Sequence, residues 1–140
     1  MTYLLDTCVI SELVTKQPNL HVVQWVDSID EDKLFLSAIT VGEIKRGIEK
    51  LADSSRKSAL AEWLEGDLLI RFIDRILPID ISVMLVWGQL TADLEKQGRP
   101  MPAIDSLIAA TCLQARLDLV TRNERDFAHC GVAVVNPWEQ

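Results

Sequence analysis

The chain predicts an α/β fold built on a central, mainly parallel β-sheet flanked by helices. Short apolar runs of strand length alternate with segments whose apolar residues recur at helical spacing. The step from strand to capping residue to helix occurs near the start and is repeated in the next segment. With 140 residues, 49% of them hydrophobic, positions 1–140 can bury one core and read as a single domain.

Thr2 to Leu5 reads as the first strand, and Asp6-Thr7 caps a helix marked by Val9, Ile10, Leu13 and Val14. Pro18 separates this from a second amphipathic segment capped by Asn19, in which Leu20, Val23, Trp25, Val26 and Ile29 share a face. Lys33 to Ser37 is the next strand, and Thr40 with Glu43 has the form of a capping box opening a helix to about Leu51. Beyond the polar stretch Ala52 to Ser58, a long helical segment carries Leu60, Trp63, Leu64, Leu68, Ile70, Phe72 and Ile73, with Gly66 as an expected interruption. Leu77 to Ile79 forms a short strand, and Ser82 to Gln97 a helix stopped by Gly98, Pro100 and Pro102. An alanine-rich helix, Ala103 to Ala115, leads to a buried strand, Leu117 to Thr121. Glu124 to Ala128 is a brief helical turn, and Val132 to Val135 a last strand closed by Asn136-Pro137.

The formal net charge of −7 opposes general affinity for nucleic acid, which ordinarily leaves a basic footprint. Three cysteines, odd in number, far apart and without CxxC pairing, argue against a disulfide framework and a zinc site and fit a reducing compartment. No apolar run approaches the roughly 20 residues that cross a bilayer, and the N-terminus lacks a signal-peptide pattern, so the expectation is a cytoplasmic protein with no membrane role. GxSxG, P-loop and GxGxxG motifs are absent, which leaves serine-hydrolase and nucleotide-binding readings without support. His21 and His129 stand outside any motif, and Trp25, Trp63, Trp87 and Trp138 occupy apolar or terminal positions that suit core or interface.

Four acids carry the chemical signal: Asp6, Glu43, Asp105 and Asp126. Each falls at a strand end or near a helix start, and ligands of parallel sheets bind at the carboxyl ends of the strands. Acids gathered in apolar surroundings are costly unless a cation compensates them, and clustered oxygen ligands select hard divalent ions such as Mg²⁺. Such an ion lowers the pKa of bound water and stabilises charge in phosphodiester hydrolysis. Asp6 and Asp105 are the expected direct ligands, since their short side chains leave strand-end and early-helix positions with little freedom. Glu43 and Asp126 complete the cluster directly or through water, one of them accepting a proton from the attacking water.

Thr7, Thr121 and Asn123 lie beside these acids and suit the orientation of carboxylates or metal waters. Each also has a plain alternative: Thr7 begins a helix, Thr121 ends a strand, and Asn123 caps a short helix. Among nearby cations, Arg46 shares a helix face with Glu43 and is the best candidate for a substrate phosphate, with an ion pair to Glu43 or Glu49 as the alternative.

The segments LLDTCVISEL, SAITVGEIKRGI, PAIDSLIAATCLQ and LVTRNERDF, in this order and spacing, resemble those of PIN-domain ribonucleases. Within them they resemble the VapC toxins of bacterial type II toxin–antitoxin systems, and the match runs almost end to end. The resemblance implies a PIN-like three-layer fold and an acidic pocket of Asp6, Glu43, Asp105 and Asp126. It implies Mg²⁺ or Mn²⁺ as cofactor and endoribonuclease cleavage of RNA. It also implies a homodimer, a higher-order toxin–antitoxin assembly, and a cognate VapB-like antitoxin whose C-terminal segment lies in a groove of the early helices. Trp25, Trp63, Leu64 and Phe72 are groove or interface candidates with an equal reading as core. Cys8 stands where the family often has a small polar residue, so no hydrogen-bonding role is carried onto it. Two other readings stay open: a catalytically silent antitoxin-binding or RNA-binding PIN module, and a metal-dependent DNA nuclease or phosphatase using the same acids.

Overall fold

A computed structural model describes residues Met1–Glu139; Gln140, the last position of the expected domain, lies outside the described residues. Strand β1 (Tyr3–Leu5) leads into helices α1 (Thr7–Val14) and α2 (Leu20–Ser28), then strand β2 (Leu34–Ser37) and helix α3 (Ala38–Glu49). Helix α4 (Ser55–Trp63) runs through a π-helical turn (Leu64–Leu68) into the single-turn α5 (Leu69–Arg71), followed by β3 (Ile76–Leu77). Helices α6 (Ile81–Lys96) and α7 (Ala103–Ala115), strand β4 (Asp118–Val120), a 3₁₀ turn (Glu124–Phe127), β5 (Val134–Val135) and a final 3₁₀ turn (Pro137–Glu139) complete the order.

All pairings in the sheet are parallel, in the order β3-β2-β1-β4-β5. The two-residue period of a strand divides the apolar residues between its faces. Leu5, Leu34, Leu36 and Val120 join Val9, Ile10, Val22, Ile44, Leu64 and Phe72 on the side covered by α1 to α5. Leu4 and Leu119 join Leu94, Ile108, Ala109 and Cys112 on the side covered by α6 and α7. The result is the three-layer α/β arrangement expected, with helices on both faces and a sheet that is wholly parallel.

Three local boundaries differ from the sequence reading. Helix α3 starts two residues before Thr40, with Ser37 as its cap: the Ser37 hydroxyl accepts the Ile39 amide at 3.0 Å. The first available side-chain oxygen after the strand wins, so Thr40 and Glu43 form no capping box, and Glu43 stands in the second helical turn. Gly66 does not interrupt the chain. The helix absorbs the segment as a π turn, which keeps Leu64 and Leu68 both buried while Gly66 faces solvent. Finally, β3 is Ile76–Leu77 rather than Leu77 to Ile79, because Asp80 is needed as the cap of α6, accepting the Val83 amide at 3.0 Å.

Candidate acidic site

The connections reverse direction between β1 and β4: β1 leads outward to β2 and β3, whereas β4 leads to β5 on the other side. A parallel sheet opens a crevice at such a point, beyond the carboxyl ends of its strands. Asp6 is the first residue after β1 and Thr121 the first after β4. They meet there: the Thr121 hydroxyl donates to Asp6 Oδ2 at 2.8 Å, while Asp6 Oδ1 accepts the Thr7 amide at 2.9 Å and caps α1. Asp6 is 7% exposed and Thr121 fully buried. Thr121 is in turn held by the Asn123 amide, which donates to its oxygen at 3.1 Å.

Glu43 reaches the same edge from α3. The Thr7 hydroxyl donates to Glu43 Oε1 at 2.6 Å and lies 3.1 Å from the Thr40 hydroxyl. A hydroxyl has one proton to give, and the carboxylate is the stronger acceptor. Thr7 thus links Asp6 to Glu43, its backbone bonded to one acid and its side chain to the other.

Asp105 is the third residue of α7, half-buried, in a first turn that has no side-chain cap. Its carboxyl is pushed above the ordinary carboxylate range, first by burial and then by the negative charges of Asp126, Asp6 and Glu43. Asp105 is therefore within electrostatic reach of the other three acids. The Asp6 carboxyl is also pushed up by burial, against the lowering effect of its bonds to Thr121 and Thr7, with the charge of Glu43 adding to the rise. Asp126 sits exposed in the 3₁₀ turn after β4, its amide bonded to the Asn123 carbonyl at 3.1 Å.

Among the described residues none of the four carboxylates has an ion-pair partner, so the chain itself leaves this charge uncompensated. Nor do three Asp, Glu, His or Cys side chains among the described residues stand close enough to form a ready-made ligand shell. The donor set fits a hard divalent cation: all oxygen, mutually repelling, with Asp6 fixed on both oxygens.

Two of the neighbouring residues hold positions the sequence suggested, and others do not. Thr7 and Thr121 both touch acids. Asn123 occupies the cap position of the 3₁₀ turn but makes no side-chain cap bond, and its link to the site is its amide. Arg46 is exposed on α3 and, among the described residues, makes no ion pair; Glu49 is paired with Lys45 instead, at 3.7 Å. Cys8, onto which no hydrogen-bonding role was carried, is half-buried with Sγ 3.5 Å from the Thr121 hydroxyl and 3.9 Å from Asp6 Oδ2. Sequence reasoning missed Thr40, and it missed the Trp87–Ser106 bond of 2.8 Å that ties α6 to the first turn of α7 beside Asp105. The signal for the latter was an indole at an apolar helix position, which needs a hydrogen-bond acceptor when buried.

An apolar groove of about 280 Å³ runs from Thr7 and Glu43 between α1, α3 and α4, with Trp63, Leu60 and Ile48 on its walls and Arg56 at its side. Of the four groove candidates, Trp63 lines it. Leu64 and Phe72 are buried core, and Trp25 packs edge-on against Tyr3 at 5.0 Å between ring centres.

The sheet is five-stranded and fully parallel, and residues 3–132 match the PIN-domain family model; the chain belongs to that family. Among its relatives, Toxin FitB of Neisseria gonorrhoeae is 42% identical over 135 residues, covering 96% of this chain and 97% of that protein. A VapC ribonuclease of Sinorhizobium fredii is 34% identical, covering 96% of each. In the crystal structure of FitAcB from N. gonorrhoeae, a chain 41% identical superposes with a TM-score of 0.95 over 99% of this chain and all of that one.

Proposed function

We propose that this protein is the toxin of a type II toxin–antitoxin system and acts as a metal-dependent endoribonuclease. The observation that carries the reading is the uncompensated set of acids at the carboxyl edge of the sheet, in which Asp105 feels the charges of Asp126, Asp6 and Glu43. The relatives support its substrate and setting, since they include proteins named as toxins and VapC ribonucleases. Asp6 and Asp105 would hold Mg²⁺, with Mn²⁺ as a substitute, and the ion would supply an acidified water and charge stabilisation at phosphorus. Thr121 and Thr7 orient Asp6, and Thr7 restrains Glu43. Glu43 and Asp126 position water or accept its proton. Asn123 steadies Thr121 through its amide. Arg46, one helical turn from Glu43 and without an ion-pair partner among the described residues, meets a substrate phosphate.

The cognate partner is a VapB-like antitoxin whose tail occupies the groove between α1, α3 and α4, a reading supported by that groove's apolar walls and its opening at Glu43. A homodimer completes the assembly, with the exposed Ile81, Met84 and Leu85 of α6 as the strip a second copy covers. No helix among the described residues is long and apolar enough to cross a membrane, and the proposed site of action is the cytoplasm.

The test is incubation of purified, antitoxin-free protein with RNA, DNA and a phosphomonoester side by side, with Mg²⁺ or Mn²⁺ and with EDTA. RNA cleavage that EDTA abolishes is the expected result. Cleavage of DNA or the monoester instead would favour the related phosphoesterase reading. Tight partner binding without turnover would favour the silent module.

A further inference from the structure

Away from the acidic centre, one cavity gathers two arginines and a histidine, and it opens beside Asp126. It measures about 240 Å³ and lies between the segment after α6 and the 3₁₀ turn after β4, with Arg99, Arg125 and His129 as its polar donors. Its frame is fixed by the backbone. Gly98, at φ +72°, ends α6: its amide bonds the Glu95 carbonyl at 3.0 Å and the Arg99 amide bonds the Leu94 carbonyl at 2.8 Å. This double closure is a Schellman turn, which sets where Arg99 leaves the helix. On the facing wall His129 is held between buried Phe127 and Cys130, whose thiol donates to the Phe127 carbonyl at 3.1 Å.

The electrostatics favour an anion despite the acidic chain. Arg99 Nη1 lies 2.8 Å from His129 Nδ1. A guanidinium only donates, so Nδ1 accepts, and the imidazole's remaining proton is on Nε2. The pair thus has only donors left to offer. Neither Arg99 nor Arg125 has a carboxylate within ion-pair distance among the described residues, although Asp126 lines the same cavity. Because Asp126 is shared, an anion held here is a near neighbour of the acidic centre.

We propose that this cavity is a phosphate subsite for RNA, in which Arg99 and Arg125 hold a backbone phosphate adjacent to the one that is cut. The inference rests on the nuclease reading and adds the missing path for substrate across an acidic surface. Arg99→Ala and Arg125→Ala should each raise KM for a short single-stranded RNA about tenfold, with kcat within about threefold, as expected when one charge-assisted hydrogen bond to phosphate is removed. Arg99→Lys should recover part of that affinity, since it keeps the charge without the fork. The salt dependence of binding should flatten by about 0.7 in log–log slope for each phosphate no longer neutralised.

The decisive experiment places single neutral methylphosphonates along the RNA. One position flanking the cut should weaken wild type about tenfold and add little to Arg99→Ala, the signature of a shared interaction. Lys33→Ala, at the amino end of β2 and paired with Asp30, controls for net charge. Unchanged KM and RNA affinity in both arginine variants would overturn the proposal. So would equal losses in Lys33→Ala, or weakened antitoxin binding with RNA affinity intact, which would make the cavity a protein-binding surface. If wild type cuts no RNA the nuclease reading fails, and fluorescence anisotropy with the same RNAs still decides whether the cavity binds phosphate.

Discussion

At the scale of single residues, Asp6 bears two opposed demands. It caps α1 and takes a hydrogen bond on each oxygen, which favours the charged form, yet burial outweighs both and pushes its carboxyl up. A carboxyl with a higher pKa in the folded state holds its proton more firmly there than in the unfolded chain. Its contribution to stability is therefore greatest below the unfolded value, ordinarily near 3.8, and is lost as pH rises through the folded one. Asp105 has the same sign, weakened by its partial exposure to solvent. Metal-free wild type should thus gain melting temperature on acidification from neutral pH, relative to the Asp6→Asn/Asp105→Asn protein, when both are followed by calorimetry. At neutral pH Asp105→Asn alone should raise the metal-free Tm by about 2 °C, and Mg²⁺ should stabilise wild type and not the variant. Thr121→Val removes the buried donor to Asp6 and the acceptor of the part-buried Asn123 amide bond. A loss of about 2 kcal/mol in urea unfolding and a marked drop in cleavage are expected.

At the scale of elements, the alternation of strands and helices was legible because it follows from periodicity, and periodicity survives small shifts in boundary. The start of α3 was not, because Ser37 and Thr40 are both competent caps. What decides between them is where β2 ends, and that is set by pairing with β1 and β3. Ser37→Ala should cost about 1 kcal/mol in chemical denaturation, as loss of a true cap does. Asp6, Thr7, Thr121 and Asp105 could be read from their junctions in sequence. The bond from Thr7 to Glu43 could not, for it spans 36 positions and depends on how α3 packs against α1. Thr7→Val should lower kcat while moving Tm by less than about 3 °C, since the bond is partly exposed. Of the two readings of Asn123, the cap is not made by its side chain, and its link to the site is the backbone amide it donates to Thr121.

For the whole molecule, the charge of −7 looked adverse to RNA, but it is unevenly placed. Four carboxylates are concentrated at one sheet edge, and two arginines with a histidine stand beside them in a separate cavity. Composition averages these regions together, which is why His129 stands outside any motif in the sequence and Arg99 carries no signal there. The wholly parallel sheet explains the arrangement: it brings every strand end to one side, so residues more than 100 positions apart, such as Asp6 and Thr121, share a site.

The central claim is that the acids at this edge hold a metal for RNA cleavage, beyond the part Asp6 plays as the cap of α1. It is tested most directly by assaying Asp105→Asn beside wild type, with RNA and Mg²⁺, while following Tm. The account predicts loss of cleavage by more than about a hundredfold in a variant at least as stable as wild type, with its Mg²⁺-induced rise in Tm abolished. Wild-type cleavage and an intact Mg²⁺ shift in that variant would contradict it.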